Sequence, residues 1–158
     1  MKTTSNYKPV GGVESVALYP ADAVVTALFS SSGCEVSLSG TPLEVELLEG
    51  LSHFEEYSEV KNGATRIVHE LHLVADREEA LPWLEREFLE RIALEGSIAV
   101  VTLCDGRRLL VGYSALFGEE QPLRLEKLTS ASGNSPHDTP TVTLQLSACD
   151  REFAQPIL

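Results

Sequence analysis

Two histidines in the segment VHELHLV are the residues best suited to binding a metal ion. They are His69 and His72, which are three positions apart. Zinc metalloproteases place two histidines four positions apart on a helix, so that both rings reach one ion. The apolar alternation around this pair indicates a strand, on which a spacing of three puts the rings on opposite faces. We therefore expect ordinary sheet residues and no metal site.

Two other segments contain residue types found in nucleophilic catalysis. The sequence GYSAL around Ser114 begins like the nucleophile elbow of a hydrolase, but it lacks the closing glycine and follows a predicted hairpin strand. His137 and Asp138 are adjacent in a stretch rich in Ser, Gly and Pro, where a hydrogen-bonded turn is the expected arrangement. Neither segment predicts a catalytic residue.

Three carboxylates, Glu55, Glu56 and Glu59, cluster before a predicted turn. Two carboxylates can act as general acid and base, but a run of charge is more often a solvated face. The sequence contains no glycine-rich phosphate-binding loop. We predict a protein that is not an enzyme and has no cofactor. An enzyme whose active site is assembled from distant residues stays an alternative.

The cysteines are Cys34, Cys104 and Cys149, an odd number without close pairs. This spacing argues against a disulfide framework and against a zinc knuckle. We expect all of them to be buried and to behave as small apolar residues.

The chain of 158 residues has 12 Lys and Arg against 24 Asp and Glu, a formal net charge of −12. Such a charge predicts no tight binding to nucleic acid, because phosphates are repelled unless the few cations cluster. The acidity serves solubility, or it keeps a surface from sticking to DNA. The sequence shows no apolar run of membrane-spanning length and no signal-peptide core, so we expect no membrane partner and a cytoplasmic protein.

The elements that would position these residues are organised around residues 76–114. Asp76 and Glu79 have the spacing of a capping box, and the residues after them predict an amphipathic α-helix at about 77–95. Pro82 indicates either that the helix proper starts near Leu81 or that it is kinked there. Gly96 should end the helix in a left-handed conformation.

A predicted hairpin follows the helix. Its first strand, SIAVVTLC, is almost wholly apolar, so both of its faces should be covered, one of them by Phe88 and Ile92 of the helix. Asp105-Gly106 predicts a type I′ turn into the second strand.

The rest of the chain predicts short, alternating strands. They span residues 13–19, 23–29, 35–39, 43–51, 53–60, 66–74, 123–128 and 141–149, with a short helix as the alternative for 23–29. Residues 1–12 are expected to form a flexible N-terminal arm and residues 13–158 a single β-rich domain. The predicted fold class is α+β, mainly antiparallel β: a small β-sandwich or partly open barrel with one flanking α-helix.

Residues 54–150 resemble phage tail structural proteins, including tail-like proteins encoded in prophages. The features are an acidic strand into Asn62-Gly63, the strand HELHLVAD, one helix, the hairpin AVVTLCDGRRLLVGYS, and a polar loop before the strand TVTLQLSACD. Tube proteins of that family are small β-sandwiches or barrels with one flanking helix and a long hairpin that makes ring contacts. The resemblance implies a structural, ring-forming tail component of the tube type, found in a virion or tail-like particle. Its implied partners are further copies of the chain, in a hexameric ring, and other tail proteins.

Assembly should use segments without the apolar periodicity needed to pack on their own domain. Two segments meet this description, the hairpin around Asn62-Gly63 and the loop of residues 130–140. We expect both to be mobile in the isolated subunit and to order in the assembly. The candidate assembly contacts are Glu55, Glu56, Tyr57, Glu59, Asn62, Gly63, Ser132, Gly133, Asn134, His137 and Asp138. The alternative function is a β-sandwich module that binds a small molecule or a peptide, which would require a concave pocket with convergent polar groups.

Overall fold

The computed structural model describes residues 11–158 and shows two antiparallel β-sheets with a shared core. In chain order the elements are β1 (Val13–Pro20), β2 (Val24–Ser30), β3 (Gly33–Leu38), β4 (Leu43–Glu44), β5 (His53–Lys61), β6 (Ala64–Asp76), a 3-10 helix (Leu81–Leu84), α1 (Arg86–Leu94), β7 (Ser97–Leu103), β8 (Arg108–Val111), β9 (Arg124–Ala131), β10 (Thr141–Asp150) and β11 (Gln155–Pro156). The five-stranded sheet has the order β11-β8-β7-β1-β4 and the four-stranded sheet the order β5-β6-β10-β9. The predicted fold class, mainly antiparallel β with one flanking helix, is confirmed.

Alternation along β6 and β10 builds the centre of the core. Leu71 and Leu73 of β6 lie directly opposite Leu146 and Leu144 of β10. All four side chains are at most 1% exposed. Since every second side chain of a strand points to the same face, both strands present a continuous apolar surface to the five-stranded sheet.

The strands β2 and β3 form a separate hairpin on the outer face of the five-stranded sheet. Cys34 of β3 packs there with Ile98 of β7 and Leu110 of β8 in a second, smaller core. On the opposite face of β7, Ala99 and Val101 belong to the main core. Both faces of β7 are therefore buried, as its apolar sequence predicted, and the outer face is covered by the hairpin.

The C-terminal segment lies between the β2–β3 hairpin and the five-stranded sheet. Ile157 donates its N–H to the Arg108 carbonyl (2.8 Å) and forms an isolated bridge with Cys34. The approach is close at Gly33, where an added Cβ would lie 2.5 Å from the carbonyl oxygen of Pro156. Gly33 also has a φ of 149°, so a side chain at this position is excluded by space and disfavoured by conformation.

The prediction of an α-helix at about 77–95 is wrong at the N-terminal end of the helix. The Asp76 carboxylate accepts a hydrogen bond from the backbone N–H of Glu78 (3.1 Å), and the Asp76 carbonyl accepts one from Ala80 (2.9 Å). These bonds close turns instead of opening a helix, so the Asp76-Glu79 capping box is not formed.

A 3-10 helix follows these turns and carries Pro82 near its start. Glu85 is then extended, with φ −70° and ψ 132°, so α1 begins only after it. Gly96 has a φ of 78° just beyond the helix, as predicted. The 3-10 helix also buries Trp83, which is 2% exposed and was not recognised as a core residue from the sequence.

The helix α1 lies along β9 at the side of the sandwich. Phe88 and Ile92 are 5% and 2% exposed and belong to the same core cluster as Ala99. The guanidinium of Arg124 in β9 donates to the Leu94 carbonyl at the end of α1 (3.2 Å). The two predicted helix anchors are therefore buried, although the nearest strand is β9.

Two strand predictions are corrected. The strand predicted at 43–51 is reduced to β4, and Leu48 donates its N–H to the Val74 carbonyl outside any strand pair (2.9 Å). In β1 the register shifts between Val13 and Ser15, so that Val13 joins the core with Val16. Regular alternation along residues 13–19 would place Val13 on the opposite face, with Ser15.

The turn at Asp105-Gly106 is not of type I′. That turn needs a positive φ at both central residues, but only Gly106 of this pair has one (93°). Leu103 and Arg107 instead bracket a longer loop, with the Leu103 N–H donating to the Arg107 carbonyl (2.8 Å). The Asp105 carboxylate accepts hydrogen bonds from the backbone N–H (3.0 Å) and Nε (2.9 Å) of Arg107 and thereby stabilises this loop.

The predicted arm, residues 1–12, lies outside the described residues except for Gly11 and Gly12. The Gly12 carbonyl accepts a hydrogen bond from the Cys104 N–H (3.0 Å). Along residues 11–158 no helix is long and apolar enough to cross a membrane.

Candidate functional site

The β5–β6 hairpin carries the first group of candidate assembly contacts. At its tip, Asn62 and Gly63 have φ values of 52° and 79°, and Lys61 pairs with Ala64 across them. Two positive φ values in a two-residue loop are those of a type I′ turn, so the predicted hairpin turn is confirmed. The two strands pair in register along all of β5, which forms one edge of the four-stranded sheet.

The outer face of this hairpin is acidic. Glu55 and Glu70 lie directly opposite each other, while Glu59 accepts a hydrogen bond from the Nε of Arg66 (2.6 Å). The Tyr57 hydroxyl donates to Glu70 (3.3 Å). Partial desolvation, followed by the charge of Glu70, raises the pKa of Tyr57. Like charges in directly opposed positions destabilise a sheet, so the pair of Glu55 and Glu70 disfavours this hairpin.

Glu56 points the other way, toward the end of the core. Its Oε2 lies 3.3 Å from Nε2 of His69 and accepts a hydrogen bond from the backbone N–H of Ala154 (2.5 Å). Nε2 of His69 also lies 3.0 Å from the carbonyl oxygen of Glu152. This candidate contact therefore holds the C-terminal segment against the hairpin of its own chain.

The two histidines lie on opposite faces, as predicted. His69 is 4% exposed, whereas the ring of His72 stacks on His53 at a centroid distance of 4.4 Å. In the part of the chain that the structure describes, no group of three or more His, Cys, Asp or Glu side chains is placed to hold a metal ion.

The loop between β9 and β10 carries the second group of candidate contacts, and its residues are exposed. The Asp138 carboxylate accepts hydrogen bonds from the backbone N–H groups of Asn134 (2.7 Å) and Ser135 (3.0 Å), which lowers the pKa of Asp138. The hydrogen-bonded turn expected at His137-Asp138 is therefore confirmed. Gly133 has a φ of 82° and no room for a side chain beside Asp138, so the loop has a defined internal conformation.

Ser114 and the cysteines show no catalytic arrangement. The Ser114 hydroxyl accepts a hydrogen bond from the Phe117 N–H (3.1 Å) and so stabilises a turn. Cys34 is buried, and burial raises the pKa of its thiol. The prediction of burial is wrong for Cys104, which is exposed because it lies in the turn after β7, and Cys149 is only partly buried.

The outer face of the β2–β3 hairpin exposes two large apolar side chains. Val25 is 63% exposed and Leu28 is 69% exposed. Leu28 lies opposite the exposed Glu35, on the face turned away from Cys34 and the small core. Sequence reasoning missed this surface, because an alternating strand does not show which of its faces a sheet will cover.

A cleft of about 320 Å³ opens between β3 and the outer face of the five-stranded sheet. Its floor combines small residues of β1 with the charged residues Glu44 of β4 and Arg108 of β8. The residues that line it are Ser15, Ala17, Tyr19, Val36, Leu38, Glu44, Val100, Thr102 and Arg108. The small and polar face of β1 was visible in the sequence, but the hairpin that encloses it was not.

Comparison with known proteins adds no assignment, since no family model, curated protein or solved structure matches this chain.

Proposed function

We propose that this protein is a structural, ring-forming subunit of a phage tail or tail-like assembly, of the tail tube type. The observation that carries the proposal is the β2–β3 hairpin, which stands outside both sheets and presents exposed Val25 and Leu28. The resemblance in element order implies a small sandwich with one flanking helix and a contact hairpin. The fold has the sandwich and the flanking helix, and the β2–β3 hairpin is suited to the third role.

The β2–β3 hairpin was not among the contact segments expected from the sequence, which were the hairpin around Asn62-Gly63 and the loop of residues 130–140. The hairpin of residues 99–114 is one of the features that carry the resemblance, which implies a long hairpin that makes ring contacts. Its strands, β7 and β8, lie between β1 and β11 inside the five-stranded sheet, so neither has a free edge. The β2–β3 hairpin exposes the apolar side chains of Val25 and Leu28, and covering them with a neighbouring subunit would remove apolar surface from water.

The sandwich also has strand edges that a ring could use. The edge strand β5 is nine residues long, and β9 forms the other edge of the same sheet with eight residues. Long, regular edges are sites for pairing between chains. The glutamates on β5 disfavour pairing of two β5 strands with each other, since antiparallel pairing centred on Tyr57 would bring Glu55 opposite Glu59. A heterologous contact, in which β5 meets a different surface of the next subunit, can close into a ring.

The charge of the chain is compatible with a tube that conducts DNA. The net charge is −12, and the outer face of the four-stranded sheet carries the opposed pair of Glu55 and Glu70. An acidic wall repels phosphate and would let a duplex pass without sticking. On this proposal the partners are further copies of the chain, in a hexameric ring, and other tail proteins, and the protein resides in a virion or tail-like particle.

Electron microscopy and light scattering over a concentration series test this proposal. The wild-type protein should form rings or short tubes at high concentration. Leu28→Glu should abolish them while far-UV circular dichroism stays unchanged, because Leu28 touches neither core. Leu94→Glu is the matched control, since Leu94 is 76% exposed at the end of α1, and it should assemble normally.

A strict monomer at every concentration would overturn the proposed function. Rings that survive Leu28→Glu would instead remove the β2–β3 hairpin from the contact. Deleting residues 132–137 then tests the loop between β9 and β10, which can be shortened without entering either strand.

A further inference from the structure

The cleft under the β2–β3 hairpin has an ordered, cross-strand arrangement of polar groups. Arg108 of β8 lies opposite Thr102 of β7, and Thr102 lies opposite Ser15 of β1. Two residues further along β1, Ala17 lies opposite Glu44 of β4. The guanidinium of Arg108 and the hydroxyls of Thr102 and Ser15 thus lie in one row across the sheet. The carboxylate of Glu44 lies on β4, beyond β1.

Within residues 11–158 these polar side chains have no partner of their own. Among the described residues, the side chains of Ser15, Thr102, Glu44 and Arg108 make no hydrogen bond or ion pair. By contrast, the neighbouring Arg107 is paired with Asp105. As far as the described residues go, the cleft therefore offers free donors and a free acceptor to a ligand.

We propose that this cleft binds a short peptide with charged ends, its carboxylate on Arg108 and its ammonium group on Glu44. A guanidinium binds a carboxylate through two parallel N–H donors, and the Glu44 carboxylate suits an ammonium group. The hydroxyls of Ser15 and Thr102 can bind the peptide groups between the two ends. The apolar part of the lining accepts small side chains.

The spacing of the two charges selects the length of the ligand. The strands β8 and β4 are separated by three strand spacings, about 14 Å, and Glu44 is offset by two residues, about 7 Å, along the strands from the row that contains Arg108. The two Cα atoms therefore lie about 16 Å apart, and the Arg108 and Glu44 side chains reach into this distance. An extended tripeptide spans at most about 10 Å, which bridges the remaining gap. The volume of about 320 Å³ lies at the lower end of the range for ligand pockets.

Trialanine is the probe for this site, titrated into the full-length protein and followed by NMR chemical shifts. Its N-acetylated and C-amidated forms, which each lack one charge, should bind at least about 10-fold more weakly. Arg108→Met should weaken the binding of trialanine to the same degree. This variant should bind trialanine and its C-amidated form with equal affinity. Glu44→Gln should likewise bind trialanine and its N-acetylated form with equal affinity. In each case the substitution in the protein and the cap on the peptide remove the same contact, so their effects should not add.

Arg91→Met is the control, since Arg91 is an exposed arginine on α1, outside the lining of the cleft. It should bind all three peptides as the wild type does. Equal binding of trialanine and its capped forms by the wild-type protein would overturn the proposal, as would shifts confined to residues outside the cleft. No binding up to about 10 mM, a Kd at which the free energy of binding is only about −2.7 kcal/mol, would overturn it too. Since the capped peptides are compared on the wild type, the test does not depend on the folding of any variant, and it is independent of ring formation.

Discussion

Glu56 of β5 and His69 of β6 lie directly opposite each other on the core side of the four-stranded sheet, with Oε2 and Nε2 3.3 Å apart. Both side chains also contact the backbone of the C-terminal segment, Glu56 at Ala154 and His69 at Glu152. The pair therefore fastens the end of the described chain to the β5–β6 hairpin, and a change at either residue should be felt 80 or more positions away in sequence.

Glu56→Ala should lower the free energy of unfolding by about 1–3 kcal/mol, since it leaves the Ala154 N–H without its acceptor. Glu56→Gln keeps an acceptor oxygen at this position and should recover most of the loss. The control is Glu55→Ala on the opposite face, which should cost nothing because it relieves the repulsion from Glu70. Urea denaturation measures the stability, and hydrogen exchange at Ala154 should accelerate only in Glu56→Ala. Unchanged exchange there would contradict the assigned contact.

Phe88→Ala should destabilise the protein by about 3–5 kcal/mol, because Phe88 fills the core from the side of α1. Leu94→Ala, on the same helix but 76% exposed, should change stability by less than about 0.5 kcal/mol. Denaturant melts of both variants make the comparison. A loss below about 1 kcal/mol for Phe88→Ala would mean that α1 does not pack on the sandwich as described.

Gly63→Ala should destabilise the β5–β6 hairpin by about 1–2 kcal/mol, since Gly63 has a φ of 79° that residues with a side chain disfavour. No atom lies within 4 Å of the added Cβ, so the effect reports conformation and not a clash. Gly11 is the control, since its added Cβ is equally free of contacts and it lies outside the hairpin. If the two alanine variants melt alike, the turn does not constrain the hairpin.

The loop between β9 and β10 should lose its order in acid. The Asn134 and Ser135 amides lower the pKa of Asp138, so the bonded conformation is favoured by the carboxylate form. The contribution is complete above the ordinary aspartate pKa of about 3.9 and is lost as the pH falls through the lower, folded-state value. Amide shifts of Asn134 and Ser135 should follow this titration in NMR spectra, and Asp138→Asn should abolish it. A midpoint at or above about 3.9 would refute the assignment.

Much of the sandwich could be predicted because alternation is a strong signal where one face is buried. The residues Leu71, Leu144 and Leu146 show it, and their strands were identified close to their observed bounds. The Asn62-Gly63 turn was predictable for a different reason, since these two residues tolerate the positive φ values of a type I′ turn.

The errors in predicting the helix start and the β7–β8 turn arose where a local hydrogen bond from a side chain to the backbone competes with a regular element. The Asp76 carboxylate bonds to Glu78 two positions on, which diverts the chain from the expected helix. Asp105 bonds in the same way to Arg107, and this favours a longer loop than the dipeptide Asp105-Gly106 suggests. The candidate sites were harder still, because the cleft and the exposed Leu28 depend on where the β2–β3 hairpin docks, which is a long-range contact.

The docking of the β2–β3 hairpin can be completed only late in synthesis of the chain. Its small core rests on Ile157 as well as on Cys34, and β11 forms the edge of the sheet beneath it. A ribosome that adds about 5–20 residues per second needs several seconds or more to pass from residue 34 to residue 157. Until then the inner face of β3 has no complete support. A growing chain therefore completes the small core beneath the exposed Leu28 only after residue 157 has been made.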